Sequence, residues 1–143
     1  LYPSDLIRLK NAGKSENEFL KNIRINGNVI KTVKKKENST ACMFWDEEKR
    51  LCGIYNDRTF DCKMFPFDVW WTINEYHWIV YSFNPESDWK WTEQYLQKLE
   101  SDPQFNEMMQ NSEAIKLTSD NVEYLADIEE PPYAVLRKVN WKE

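Results

Sequence analysis

Three cysteines are the residues with the clearest potential chemistry, and they recur at equal intervals as Cys42, Cys52 and Cys62. Thiolates are soft ligands that suit zinc, iron and iron–sulfur clusters. Arg58 and Lys63 lie near Cys62 along the chain, and nearby positive charge favours the thiolate form of a cysteine. The segment that carries these thiols is therefore the first candidate for a metal site.

A site built from these thiols alone lacks a ligand, because structural zinc takes four ligands and a four-iron cluster usually takes four thiolates. The candidate sources of the missing donor are Asp46, Asp61, His77, an exogenous ligand or a cysteine upstream of Leu1. The spacing matches neither a zinc ribbon nor a ferredoxin, and free cysteines are often buried. Spacing alone therefore favours three ordinary buried thiols on neighbouring strands over a metal site.

The segment from residue 42 to residue 67 carries four short elements in register. They are Cys42-Met43-Phe44-Trp45-Asp46, Cys52-Gly53-Ile54-Tyr55, Arg58 and Cys62-Lys63-Met64-Phe65-Pro66-Phe67. This series resembles the zinc- or iron-chelating domain family known by its CxxxCxxCC motif. Two predicted helices at residues 4–23, which include Glu16-Asn17-Glu18-Phe19-Leu20, also resemble the stretch that the family carries between its two cysteine groups. The resemblance therefore covers about residues 1–67.

The resemblance implies that the three cysteines are ligands of zinc, iron or an iron–sulfur cluster. Supporting positions implied by the same motif are Tyr55, Arg58, Lys63 and Pro66. Thr59 stands where the family usually has proline, which loosens the turn but leaves the ligands. Lys63 replaces the usual arginine, which keeps the charge but loses the bidentate fork.

The N-terminal CxxxCxxCC group does not occur in this sequence, which begins with Leu1 rather than Met. We therefore expect the native protein to continue upstream with further cysteines that complete the ligand set. An odd number of cysteines excludes a closed disulfide framework within the segment. Reduced thiols or metal ligands are typical of the cytoplasm, where we expect this protein.

Three function hypotheses follow, and the leading one is a cytoplasmic metal-binding protein. The second is a metal-dependent enzyme that modifies a protein or peptide, because the family's cysteine motif resembles that of the flagellin lysine N-methylases. The third is a metal-free structural or partner-binding domain whose aromatic region, residues 69–91, contacts a protein or peptide. Nothing in the sequence identifies a methyl-donor site for the second hypothesis.

Composition excludes several other classes of function. The net charge of −5 and the pI of about 5.1 argue against nucleic-acid binding. No apolar run approaches the roughly 20 residues that a membrane helix needs, so we expect no membrane partner. Three glycines leave little room for a phosphate-binding loop, and we interpret His77, the single histidine, as a packed or surface residue. The 143 residues suggest one domain.

Local patterns in the first half predict two short helices and two hairpins. Ser4 is the expected cap of the first helix and Gly13 its end. Ser15 and Glu18 predict a capping box for a second helix with an apolar stripe at Phe19, Leu20 and Ile23. Asn26-Gly27 predicts a hairpin turn, and residues 41–45 and 51–55 predict a second strand pair. Four charged positions are expected on a solvated face: Arg8, Lys10, Glu16 and Lys21.

The second half predicts a hairpin of residues 69–73 and 76–83 around Asn74-Glu75, followed by helices. One helix begins near Ser87 or Asp88, a second at Asp102-Pro103, and a third at Ser119 or Asp120. Residues 133–141 predict a terminal strand. Most of the crowded tryptophans are expected in the core: Trp70, Trp71, Trp78, Trp89 and Trp91. We therefore predict an α+β fold, a small antiparallel sheet of hairpins with short helices before and after it.

Overall fold

The computed structural model describes residues 1–39, 41–81, 84, 87–119 and 133–142. The chain forms two compact units, unit 1 at Leu1–Lys63 and unit 2 at Met64–Glu143. Strands pair in antiparallel sheets of two or three, and the remaining elements are short helices. This architecture confirms the predicted α+β class. None of the described helices has the length and apolar character needed to cross a membrane.

Unit 1 begins with helix α1 (Pro3–Asn11), which confirms the first predicted helix. Its N-cap is Tyr2 and not Ser4, because the fixed φ of Pro3 suits the first helical position, where no N–H is needed. Gly13 follows the helix with a φ of +82°. Glycine adopts this left-handed conformation without a steric cost, so the helix ends where the sequence predicts.

The predicted second helix is wrong beyond its first turn. Helix α2 covers only Glu16–Phe19, and strand β1 (Leu20–Ile25) follows at once. β1 pairs antiparallel with β2 (Asn28–Val33) across Asn26-Gly27, where φ is +49° and +80°. Two left-handed residues set a tight hairpin. The pairing of β1 with β2 extends to Leu20 opposite Val33. These inter-strand hydrogen bonds outweigh the helical spacing of the apolar residues that predicted a longer α2.

The second strand pair of unit 1 is shorter than predicted. It consists of β3 (Trp45–Asp46) and β4 (Leu51–Cys52). The predicted strand at 51–55 ends early because Tyr55–Asp57 form a 3₁₀ turn, in which the Asp57 N–H donates to the Ile54 carbonyl at 2.8 Å. Helix α3 (Phe60–Met64) then closes the unit.

Unit 1 has its own apolar core. Leu9 of α1, Phe19 of α2 and Ile54 are buried together. Partly buried side chains that pack against them are Leu1, Leu6, Leu20, Met43, Phe44 and Cys52. The core therefore draws on α1, the start of the first hairpin and the segment that carries two of the cysteines.

A buried carboxylate joins the two ends of unit 1. Asp5 has no exposed surface, and its Oδ1 accepts from Arg8 Nη2 at 2.7 Å and from the Phe60 N–H at 3.1 Å. Its Oδ2 accepts from the Tyr2 N–H at 3.0 Å. Arg8 Nη2 also donates to the Arg58 carbonyl at 3.0 Å. The expectation that Arg8 lies on a solvated face is therefore wrong, because a buried carboxylate requires a cationic partner.

Unit 2 contains a three-stranded sheet of β5 (Phe67–Thr72), β6 (Glu75–Tyr81) and β7 (Tyr133–Lys138), in that order. The hairpin and the terminal strand are confirmed. The turn lies one residue earlier than predicted, at Ile73-Asn74 with φ of +54° and +59°, because Thr72 pairs with Glu75. Residues 82–83 of the predicted strand lie outside the described part of the chain.

Helices α4 (Glu93–Glu100), α5 (Pro103–Gln110) and α6 (Ser112–Ser119) accompany this sheet, and Lys90–Thr92 form a 3₁₀ turn before α4. The Asp102 carboxylate caps α5 as predicted, accepting the Gln104 N–H at 2.8 Å. The sequence did not predict α6. The helix predicted to start at Ser119 or Asp120 falls mainly outside the described residues, and Ser119 is the last residue of α6.

The tryptophans differ widely in burial. Trp78 is fully buried and stacks on Phe105, with ring centroids 5.6 Å apart. Trp70, Trp71 and Trp89 are half-buried. Trp91, which the sequence predicts to lie in the core, is 71% exposed, because it lies in the 3₁₀ turn, whose side-chain spacing differs from that of an α-helix.

Replacing Asp5 by Asn should lower the free energy of unfolding by at least about 2 kcal/mol, because the change leaves the Arg8 guanidinium partly buried without its carboxylate. Urea unfolding followed by circular dichroism measures the loss. The matched control is Glu16→Gln, which breaks an exposed ion pair with Lys10 and should cost less than about 1 kcal/mol. Equal losses in the two variants would contradict the role of Asp5.

Candidate metal centre

Cys42 and Cys52 lie on segments that backbone hydrogen bonds hold side by side. Cys42 forms an isolated bridge with Lys35, which continues the line of β2. Its carbonyl accepts the Trp45 N–H at 3.0 Å, and Trp45 pairs directly with Cys52. Two thiols ten residues apart in sequence therefore belong to one small antiparallel arrangement.

Gly53 allows this arrangement to be tight. Its N–H donates to the Phe44 carbonyl at 2.7 Å. A Cβ at this position would lie 3.2 Å from the same oxygen, which is closer than most side chains tolerate. Glycine suits this position of the Cys-Gly-Ile-Tyr element because two backbones approach each other closely beside Cys52.

Cys62 comes from the first turn of α3 and is held by Thr59. The Thr59 side chain is buried, with 4% exposure. Its hydroxyl donates to Cys62 Sγ at 3.3 Å and accepts the Cys62 N–H at 3.5 Å. Sequence reasoning treated Thr59 only as a replacement for proline. A threonine whose hydroxyl accepts the backbone N–H of the residue three positions later is a typical helix N-cap. The position of Thr59 three residues before Cys62 was therefore the sequence signal for its role.

The pKa of Cys42 depends on burial of its sulfur and on the charges around it. The pKa of Cys42 is raised, mainly because protein around the sulfur removes part of its water, although the residue keeps solvent exposure. The neighbouring Cys62 and Cys52 thiolates raise this pKa further. A hydrogen bond from the backbone of Phe44 and the charge of Lys36 act in the opposite direction. Ionisation of Cys42 is therefore less favourable when the other two sulfurs also carry negative charge.

The thiols are free and accessible. Cys42 and Cys62 are exposed and Cys52 is half-buried. The interpretation of three ordinary buried thiols is therefore wrong for Cys42 and Cys62. Soft, accessible sulfurs suit zinc or iron in chemical kind. Among the described residues, however, no three Cys, His, Asp or Glu side chains are gathered closely enough to hold a metal ion as they stand.

The proposed sources of a further ligand have different surroundings. Asp46 Oδ1 accepts the Glu48 and Lys49 N–H groups, each at 3.0 Å, and so caps the β3–β4 turn. Asp61 precedes Cys62 on α3, and burial of its carboxyl group raises its pKa, whereas the charged N-terminus and a hydrogen bond with the Tyr2 side chain act in the opposite direction. In unit 2, His77 is half-buried, and its Nδ1 lies 3.1 Å from the Thr72 carbonyl oxygen. This contact agrees with the interpretation of His77 as a packed residue.

The supporting positions fall into two groups. In unit 1, the Arg58 guanidinium lies 4.2 Å from the centre of the Tyr55 ring, a cation–π contact. The Lys63 N–H donates to the Thr59 carbonyl at 3.1 Å within α3. In unit 2, the Pro66 carbonyl accepts the Tyr81 N–H at 2.9 Å. Tyr55, Arg58 and Lys63 therefore belong to the segment around Cys62, whereas Pro66 stabilises the start of the unit 2 sheet.

In the folded, metal-free protein, alkylation of Cys42 by iodoacetamide should reach half its maximal rate at a higher pH than in the same protein unfolded in urea. The thiolate is the reacting form, and the folded protein raises the Cys42 pKa. The double variant Cys52→Ser/Cys62→Ser should lower this pH but not to the unfolded value, because burial remains. Peptide mass spectrometry quantifies the modification. A double variant whose half-maximal pH equals that of the wild-type protein would contradict the coupling between the thiols.

Comparison with known proteins adds family information to this geometry. A family model described as "Putative zinc- or iron-chelating domain" (CxxCxxCC) matches residues 1–82, which is more than half of the 143-residue chain. No curated protein matches the chain, and no solved structure does. The matched region contains all three cysteines and extends beyond the resemblance at residues 1–67. The chain belongs to this family of zinc- or iron-chelating domains.

Proposed function

We propose that this protein binds zinc or iron and that Cys42, Cys52 and Cys62 supply its thiolate ligands. The observation that carries the proposal is that backbone pairing holds the Cys42 and Cys52 segments together in unit 1, while α3 presents Cys62 from the same unit. The pKa of Cys42 is raised first by burial and then by Cys62 and Cys52. Membership of a zinc- or iron-chelating family supports the same conclusion. One further donor, from a side chain or from outside the segment, completes the set.

Electrostatics gives a physical reason for metal binding at this place. Thiolates that repel one another are costly to form in the free protein, and a divalent cation between them reverses that repulsion. Bound metal would supply a cross-link between α3 and the β3–β4 segment. A reducing compartment keeps the thiols available as ligands, and we therefore propose the cytoplasm as the location.

The accessible state of the thiols suits uptake of the metal. The exposure of Cys42 and Cys62 gives an ion a path from solvent. Because the three sulfurs do not yet form a closed site, binding must draw the segments together. Metal binding is then coupled to ordering of unit 1, as is usual for thiolate sites.

Each of Cys42→Ser, Cys52→Ser and Cys62→Ser should weaken zinc binding by at least about 100-fold, more than the roughly 10- to 100-fold typical of residues that only support a ligand. Anaerobic titration with Co²⁺ and competition with Zn²⁺ measures the affinity, and the cobalt spectrum reports sulfur ligation. Iron reconstitution and a visible spectrum distinguish zinc, mononuclear iron and an iron–sulfur cluster.

The matched control for these variants is His77→Gln, which removes the only imidazole of the chain. It should keep the affinity, because the His77 ring is engaged by the Thr72 carbonyl in unit 2. Asp61→Asn and Asp46→Asn test the two carboxylates that lie close to the cysteines along the chain as the further donor. Undiminished binding in all three cysteine variants would refute the proposed ligand set.

The metal-free alternative also has an observation in its favour, the exposed apolar side chains of unit 2. Trp91 and Val135 are 71% and 43% exposed, and Val135 helps to line a groove of about 540 Å³ between β7 and the segment that leads into α4. In this alternative the cysteines are incidental, and a protein or peptide contacts the aromatic region. Metal binding and the metal-free alternative differ in whether removal of metal changes the thermal stability of the protein.

A chelator should lower the thermal unfolding midpoint of the metal-loaded protein, because metal that binds only the folded state stabilises it in proportion to its affinity. Differential scanning calorimetry with and without excess chelator measures the shift. The triple variant Cys42→Ser/Cys52→Ser/Cys62→Ser should show no shift. A loaded wild-type protein that is equally insensitive would favour the metal-free alternative.

A further inference from the structure

We propose that Thr59 is a positioning residue for the metal site: its hydroxyl orients Cys62 and donates a hydrogen bond to the sulfur when that sulfur is a metal ligand. The inference rests on the proposed function and deepens it. It concerns a residue that carries neither a ligand atom nor a charge.

The geometry around Thr59 is specific to one orientation of its side chain. The residue is 4% exposed, so water does not compete for its hydroxyl as it would at the surface. Oγ1 lies 3.3 Å from Cys62 Sγ and 3.5 Å from the Cys62 backbone nitrogen. The backbone N–H can only donate. Oγ1 is therefore the acceptor in that contact, and its single proton is available for the sulfur.

Metal ligation would fix the direction of the bond to the sulfur. A ligating thiolate has no proton and can only accept a hydrogen bond. Hydrogen bonds to ligand sulfurs withdraw charge from the lone pairs, and such contacts tune metal affinity and potential. Thr59 would in this way stabilise the charge on Cys62 and fix the orientation of its side chain, which is exposed to solvent.

The test uses the full 143-residue chain saturated with Co²⁺ and compares Thr59→Val, Thr59→Ser and Thr59→Asp. The sulfur-to-cobalt charge-transfer band reports the energy of the sulfur lone pairs, which a donated hydrogen bond lowers. Thr59→Val has the shape of threonine without the proton, so its band should move to longer wavelength. Thr59→Ser keeps the proton and should keep the wild-type band.

Thr59→Asp separates positioning of the sulfur from capping of the helix. Aspartate is a good N-cap and accepts the Cys62 N–H, but at neutral pH it has no proton to donate. Its band should therefore move in the same direction as that of Thr59→Val, and the thermal unfolding midpoint of the metal-free variant measures separately the cost of placing a carboxylate at this buried position. This second variant also covers the case in which Thr59→Val fails to fold.

Zinc affinity gives an independent readout. Thr59→Val and Thr59→Asp should bind zinc about 10- to 100-fold more weakly, as is typical when a hydrogen bond to a ligand is lost, and Thr59→Ser should bind normally. Unmoved bands in Thr59→Val and Thr59→Asp, or a Thr59→Ser band that moves with them, would overturn the role of Thr59 alone. A wild-type protein with no sulfur-to-cobalt band would overturn the proposed function as well.

Discussion

The architecture of unit 1 depends on one buried carboxylate. Asp5 has no exposed surface and satisfies its oxygens with the Arg8 guanidinium and the N–H groups of Tyr2 and Phe60. A carboxylate that is shielded from water is tolerated only when a cation and hydrogen bonds from the protein take the place of hydration. Because Phe60 begins α3, these bonds fix where α3 starts against α1. The position of Cys62 on α3 follows from them.

The other two cysteines are placed by a different constraint, the pairing of backbone groups. The Asn26-Gly27 hairpin carries β2 towards the bridge between Lys35 and Cys42, and the β3–β4 pair brings in Cys52. Three thiols reach unit 1 in this way, and the pKa of Cys42 is raised first by burial of its sulfur and then by the neighbouring Cys62 and Cys52. Natural proteins accept such local costs mainly where function requires them. The arrangement is consistent with a site that becomes favourable only when a cation is bound.

Local sequence signals predicted the structure well where a turn or cap was decided by a few residues. The Asn26-Gly27 hairpin and the Asp102-Pro103 helix start are both present. Predictions were wrong where distant pairing competes with local preference, as in the conversion of Leu20 from helix to strand. The one-residue shift of the second turn has the same origin, since the pairing of β5 with β6 decides which residues are left for the turn.

The sequence by itself determined the family of this protein and its candidate chemistry: three cysteine thiols in a fixed motif, in a chain whose patterns indicate small hairpins and short helices. Only the tertiary structure decided that Arg8 pairs with Asp5 and that the Thr59 hydroxyl meets the Cys62 sulfur. It also decided that Cys42 and Cys62 remain exposed. The physical reason is that residue types and spacing encode local preferences, whereas burial and charge pairing arise between segments that are distant along the chain.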